Sequence, residues 1–280
     1  MILDGKATAR KYRNEFKESL AETKQKVGLV VIQVGDDETS NVYVRNKQRA
    51  CEDAGITFTH KKMDKKTSER ELLSVIEDYN NNPDVHGILV QLPLPGHINK
   101  HVVMNMIAPE KDVDGFTDTN IGRLNSGRTC IVPCTALGIM LLLEEHNIEI
   151  SGKHCVVVGR SEIVGKPVAS CMLSCDATVT VCHSKTKNLK EICKTADILI
   201  CAIGKPKYFN RDYIKSGAVV VDVGIHRCED GTLCGDVDFE DVEFLADAIT
   251  PVPGGVGPMT VASLVINTIM AADKEGIILG

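Results

Sequence analysis

Residues Cys155-Val-Val-Val-Gly-Arg-Ser-Glu-Ile-Val-Gly-Lys-Pro167 decide how the chain is read. Cys155 to Val158 is an unbroken apolar run, the pattern of a parallel strand buried on both faces. Gly159 ends it, Arg160 to Ile163 form a short loop, and Gly165-Lys166-Pro167 open a helix that continues through Val168, Ala169, Met172 and Leu173. A glycine-ended strand feeding a helix N-terminus is where a dinucleotide phosphate sits, because backbone N–H groups are unpaired there and the helix dipole favours negative charge. The glycines are spaced G-x-x-x-x-x-G and not G-x-G-x-x-G, so the match is to the architecture, and an ordinary βα turn is the bland alternative.

The flanking sequence supports the nucleotide reading. A second strand, Thr178-Val-Thr-Val-Cys182, is followed by His183-Ser-Lys-Thr186, where an enzyme selective for NAD normally places an acid for the ribose 2′-OH. This chain offers Ser184, a lysine and, nearby, Arg160, which suit a 2′-phosphate and hence NADP. Residues 197–202, 218–223 and 248–250 are further strands. The second half therefore reads as a Rossmann-like, doubly wound parallel sheet within an α/β chain.

The first half also reads as βα units, without a glycine-rich phosphate loop. Helices are expected over 6–26, 40–54 (capped by Thr39 or Ser40) and 67–79, and strands over 27–34, 56–60 and 85–92. A helix over 135–146, capped by Thr135, carries the chain to a boundary near Ser151-Gly-Lys153. The expected organisation is residues 1–150 as a substrate domain, 151–258 as the nucleotide domain, and a last helix (about 259–280) returning to the first. A small-molecule cleft is expected between the two domains.

Composition bounds the rest. With 280 residues, 43% hydrophobic, 25% charged and a net charge of −6 with no basic run, the chain is an ordinary two-domain globular protein and not a nucleic-acid binder. No apolar stretch is long enough to span a bilayer, and Met1-Ile-Leu-Asp-Gly-Lys6 lacks a signal-peptide layout, so no membrane partner is expected. Eleven cysteines, an odd number without C-x-x-C, argue against a disulfide framework, and neither Cys130/Cys134 nor Cys171/Cys175 has histidines at ligand spacing, so no metal is expected. The picture is a reduced, cytoplasmic protein.

Lys47 is the most informative anomaly. At 100° per residue, Tyr43, Lys47, Ala50 and Ala54 fall in a stripe about 60° wide, with Arg45, Gln48, Arg49 and Glu52 opposite. Lys47 either snorkels from an apolar face or lies at the floor of a site, where desolvation lowers its pKa enough for acid/base work. Tyr43 would then stack on a flat ligand. Gln91 is an amide in the apolar strand before Pro93-Leu-Pro95. It needs a partner, either backbone or a ligand's ring edge. Asp114, in Lys111-Asp-Val-Asp-Gly115, reads equally as a turn residue. Thr250-Pro-Val-Pro-Gly-Gly-Val-Gly-Pro258 is stiff enough to lie flat against a ligand.

Tyr43-Val-Arg-Asn-Lys47, Val90-Gln-Leu-Pro-Leu-Pro95, Lys111-Asp-Val-Asp-Gly115, Gly159-Arg-Ser-Glu-Ile-Val-Gly165 and Pro251-Val-Pro-Gly-Gly-Val-Gly-Pro258 resemble, in order over nearly the whole chain, the bifunctional methylenetetrahydrofolate dehydrogenase/cyclohydrolase family. The resemblance implies NADP-dependent oxidation of 5,10-methylenetetrahydrofolate, followed by hydrolysis of the methenyl product to 10-formyltetrahydrofolate, in a homodimer. It implies Lys47 as catalytic lysine, Tyr43 stacked on the folate, Gln91 tuning Lys47 and Asp114 on the pterin edge. Pro253 and Gly254 would lie near the substrate ring, and Gly159, Arg160, Ser161, Gly165, Ser184 and Ile225 at the cofactor. Two departures from the family pattern stand out: Ala136 replaces the last proline of Pro-Cys-Thr-Pro, and His226 replaces an asparagine after Asp222-Val-Gly-Ile225. A monofunctional dehydrogenase and a non-catalytic NADP(H)-binding protein are the alternatives.

Overall fold

The computed structural model describes residues 1–23, 25–228 and 230–273. Two compact units emerge, one of residues 10–134 with 261 onward, the other of residues 1–9 with 135–260.

The first unit is built on a parallel sheet ordered β2-β1-β3, from Gly28–Val34 (β1), Thr57–Met63 (β2) and Gly87–Val90 (β3). Helix α1 (Gly5–Thr23) leads into it. Helices α2 (Glu38–Asp53) and α3 (Glu69–Asn80) join the strands. Strand β1 is buried along its whole length because both faces of the sheet are covered. Leu29, Val31 and Leu89 face one core with Val44, Ala50 and Ala54 of α2 and Leu264, Val265 and Ile269 of the last helix. Val30, Ile32, Ile88 and Val90 face the other, with Leu72 and Ile76 of α3 and Val103 and Met104 of α4 (Lys100–Met106). The period-2 alternation thus sorts each strand between two cores. Helix α5 (Asp118–Asn125) follows the Lys111–Gly115 loop.

Several helix starts differ from expectation; α3, expected from residue 67, begins at Glu69 behind a Ser68 cap. The cap of α2 is Asp37, whose carboxylate accepts from the Ser40 N–H at 2.7 Å and the Ser40 hydroxyl at 2.8 Å, so Ser40 donates to the cap and is not itself the cap. Helix α6 (Cys134–Glu145) already includes Thr135, whose hydroxyl meets that of Thr260 at 3.3 Å. The unit boundary also falls earlier than residue 151. Helix α6 and residues 1–9 group with the second unit, because Ile2 bridges Ile249 in parallel and the Leu3 N–H donates to the Ile249 carbonyl at 2.9 Å.

The second unit holds a five-stranded, all-parallel sheet ordered β10-β7-β6-β4-β5. Its strands are His154–Val158 (β4), Thr178–Cys182 (β5), Ile198–Cys201 (β6), Val219–Asp222 (β7) and Ala248–Ile249 (β10). Helices α7 (Gly165–Ser174), α8 (Leu189–Cys193) and α9 (Phe239–Val242) connect them, and a two-stranded antiparallel hairpin, β8 (His226–Arg227) with β9 (Leu233–Cys234), follows β7. β5 lies on one side of β4 and β6 on the other, so the strand order reverses at β4. A ligand crevice in such a sheet lies beyond the carboxyl ends of the strands flanking that reversal. The last helix, α10 (Val256–Ala272), begins before Met259, since Pro258 is tolerated in a first turn. The part of that helix expected beyond residue 273 lies outside the described residues.

Candidate active site

In the first unit, α2 brings Lys47 to the end of β3. Ala50 and Ala54 are buried, Lys47 is half-buried, and Tyr43, one turn earlier, is 46% exposed. The apolar stripe therefore anchors α2 at one end and opens toward solvent at the other. The Lys47 ammonium donates to Gln91 Oε1 at 3.0 Å. Gln91 lies just past β3, which stops at Val90, yet its N–H still donates to the Ile32 carbonyl at 2.8 Å and its amide nitrogen donates to the Leu92 carbonyl at 2.7 Å. Both ends of the amide are thus spoken for, one by backbone and one by Lys47.

The two acids of Lys111-Asp-Val-Asp-Gly115 do different things. Asp112 is buried and accepts from the N–H groups of Gly115, Phe116 and Thr117 and from the Asn120 amide at 3.0 Å, so its oxygens build the loop. Asp114 faces Lys47 and the Cys134 thiol instead. Burial pushes its carboxyl above the ordinary aspartate range, while the Lys47 charge and the thiol pull the other way. Burial likewise pushes the Cys134 thiol well up, and the neighbouring Asp114 charge adds to that.

The buried side-chain amide of Asn267, on α10, donates at 2.9 Å to the carbonyls of both Val113 and Val132, tying the Asp114 loop to the segment before α6. Gly115 (φ 72°) lets the two strands of chain approach so closely, since a Cβ there would lie 2.7 Å from the Pro133 nitrogen. Asn267 was not singled out from sequence, although a lone amide within an apolar helix is the same signal that marked Gln91.

In the second unit, Gly159 and Gly165 pack backbone on backbone at the strand-order reversal. A Cβ on Gly159 (φ 138°) would sit 2.2 Å from the Ala202 carbonyl oxygen, at the end of β6, and one on Gly165 would sit 2.2 Å from the Gly159 carbonyl oxygen. No side chain fits in either place. Ser161 folds the loop between them: its hydroxyl accepts from the Val164 and Gly165 N–H groups at 3.2 and 3.3 Å, and its carbonyl from Lys166 at 3.0 Å. Val158 of β4 pairs with Cys182 of β5, so Arg160 and Ser184, both exposed, stand at matching positions beyond adjacent strand ends. The residues fit a dinucleotide: a close-packed glycine turn into a helix N-terminus at the reversal, with an arginine and a hydroxyl beside it.

Ile225 is 48% exposed and lines a cavity of about 130 Å³ with Asp222, Leu233, Pro253, Gly254 and Pro258. Two buried acids shape this wall. Asp222 accepts from the N–H groups of Gly224, Asp236 and Val237, and burial raises it to about 6. Asp236 accepts from Ile203, Gly204 and Lys205. Neither was picked out from sequence. Their neighbours Gly224 and Gly235, where a Cβ would lie within 2.4 and 1.9 Å of a carboxylate oxygen, were the legible trace.

Among the described residues no group of three or more His, Cys, Asp or Glu side chains is placed to hold a metal ion, and no helix is long and apolar enough to cross a membrane.

Residues 3–114 match the tetrahydrofolate dehydrogenase/cyclohydrolase catalytic-domain model, and residues 133–276 match the NAD(P)-binding-domain model of the same family. The chain belongs to this family. Among its dehydrogenase/cyclohydrolase relatives, the bifunctional protein FolD of Halalkalibacterium halodurans is 54% identical over 98% of this chain and 99% of its own, and that of Bacillus subtilis is 50% identical over 98% of each. The bifunctional FolD crystal structure from Campylobacter jejuni superposes with a TM-score of 0.96 at 46% identity, covering 98% of both chains. Trypanosoma brucei FolD, solved with NADP cofactor and an inhibitor, superposes with a TM-score of 0.92 at 37% identity, covering 98% of this chain and 97% of that one.

Proposed function

We propose that this family member oxidises 5,10-methylenetetrahydrofolate with NADP⁺ and hydrolyses the resulting 5,10-methenyl cation to 10-formyltetrahydrofolate. The observation that carries the reading is the 3.0 Å contact between the Lys47 ammonium and Gln91, with Asp114 beside it and Tyr43 exposed one turn away. When bound, the nicotinamide supplies the hydride acceptor. Gly159, Arg160, Ser161, Gly165, Ser184 and Ile225 would hold the dinucleotide.

Oxidation asks these residues for positioning. Tyr43 stacks on the pterin, Asp114 accepts hydrogen bonds from its N–H edge, and Pro253 and Gly254 border the substrate ring. Hydrolysis asks for a proton relay. Water attacks the methenyl carbon, and Lys47 Nζ relays the proton that water loses to the departing ring nitrogen. Gln91 Oε1 fixes where Nζ points.

β5 is an outer strand of its sheet among the described residues and exposes Thr178 and Val181, a surface on which two copies can pair as a homodimer. Full-length bacterial FolD relatives fit a cytoplasmic enzyme, and a net charge of −6 fits one that does not bind nucleic acid.

The test follows NADPH and methenyltetrahydrofolate together, by absorbance, after mixing protein, methylenetetrahydrofolate and NADP⁺. The bifunctional enzyme makes NADPH and clears the methenyl band. NADPH with a lasting methenyl band means a dehydrogenase alone, and no NADPH overturns the reading.

A further inference from the structure

Eight of the eleven cysteines are buried, and Cys182, Cys193 and Cys201 share one hydrophobic core, where cysteine packs as a small hydrophobe. Cys228 and Cys234 are different. They flank the tip of the β8–β9 hairpin, with Sγ atoms 3.0 Å apart. The hairpin holds them there: His226 pairs with Cys234, Arg227 with Leu233, and the Cys228 N–H donates to the Thr232 carbonyl at 2.8 Å. Cys228 is half-buried and Cys234 buried, and both residues line a cavity of about 450 Å³ with Lys207, Asp222 and Asp230, through which a small reagent can approach Cys228.

We propose that Cys228 and Cys234 are an oxidisable dithiol, a modification site for low-molecular-weight disulfides such as glutathione disulfide. The Cys228 thiolate attacks the reagent disulfide, forming a mixed disulfide and releasing one thiol. The Cys234 thiolate then attacks the Cys228 sulfur and releases the second. Two protein thiols are oxidised, one reagent disulfide is reduced to two thiols, and the two protein protons leave with them. Closing the bond draws the sulfurs from 3.0 Å to about 2.05 Å, a shift that the facing strands of a hairpin can absorb.

The position gives oxidation a consequence. Leu233, next to Cys234, lines the Ile225 cavity, and His226, opposite Cys234, bonds Asp236. The disulfide therefore stiffens the wall of the Ile225 cavity, part of the proposed nucleotide half-site. In a reducing compartment the resting form is the dithiol, and oxidation follows only a shift in the thiol–disulfide poise.

The experiment incubates the full chain with glutathione disulfide, quenches with an alkylating reagent, and maps the peptide containing both residues. The expected peptide lacks two hydrogens and carries no alkyl group on either cysteine, and Cys228→Ser and Cys234→Ser each abolish it. Unchanged alkylation of Cys228 and Cys234, or glutathione retained on either without closure, overturns the site. The functional arm rests on the proposed function. In the oxidised protein the KM for NADP⁺ changes by about threefold or more, and dithiothreitol reverses the change. Closure with an unchanged KM overturns the coupling. A fully reduced protein without dehydrogenase activity would instead sink the functional reading, leaving the peptide result intact.

Discussion

His226 Nε2 donates a hydrogen bond to Asp236 Oδ1 at 2.8 Å. The same carboxylate gathers the N–H groups of Ile203, Gly204 and Lys205, so one acid joins the loop after β6 to the first residue of β8. A hydrogen bond to a charged acceptor contributes about 1.5–3 kcal/mol. His226→Ala is expected to lose about that much in urea unfolding. His226→Asn keeps a donor and restores the residue usual in the family, so a loss within about 1 kcal/mol is expected. Asp236→Ala removes the shared acceptor of three backbone donors as well as of His226, and should cost more than His226→Ala. Equal midpoints for the wild type and Asp236→Ala would refute the structural role.

Lys47 and Gln91 make a second testable pair. Lys47→Ala should abolish clearance of methenyltetrahydrofolate while leaving some hydride transfer. Gln91→Ala, which frees Nζ from its 3.0 Å anchor, should slow hydrolysis by about 10²-fold, within the range for a misplaced acid/base group. Hydrolysis by Lys47→Ala at the wild-type rate would contradict the proton relay.

Gly165 tests the nucleotide cradle. A Cβ there would lie 2.2 Å from the Gly159 carbonyl oxygen, and backbone cannot swing aside as a side-chain tip can. Gly165→Ala should destabilise the protein by about 2–3 kcal/mol, a typical overpacking cost, and raise the KM for NADP⁺. The rate of methenyl hydrolysis should move far less. Thermal melts and the cofactor KM together decide the matter.

Asp222 should leave a mark on stability against pH. Burial lifts its carboxyl from the ordinary 3.8 to about 6. Between those values the folded chain holds a proton that the unfolded chain has released, so this group's share of stability is complete below 3.8 and falls as pH rises through about 6. The full swing is about 3 kcal/mol. Subtracting the urea midpoints of Asp222→Asn from those of the wild type, pH by pH, should isolate that decline. A difference independent of pH from 4 to 7 would show that Asp222 titrates normally.

The sheets were legible because apolar runs such as residues 155–158 and 29–32 match parallel strands covered on both faces. Lys47 was legible for the opposite reason, a charge on an otherwise apolar stripe. Asp112 and Asp114 were not separable, since both flank Val113, and only the folded loop assigns the backbone donors to one of them. The cap of α2 was misplaced because Asp37, Thr39 and Ser40 all suit such a position. Helices α4 and α5 are too short to show a period, and the β8–β9 hairpin, two residues per strand, carries no alternation. Asn267 does its work through carbonyls far away in sequence, which no local pattern encodes.

That last contact has a consequence for synthesis on the ribosome. The loop bearing Asp114 is translated early, but the amide that clasps it belongs to α10. Until residue 267 has cleared the exit tunnel, the loop bearing Asp114 lacks that clasp, and the first unit stays half-finished while the second is still being made.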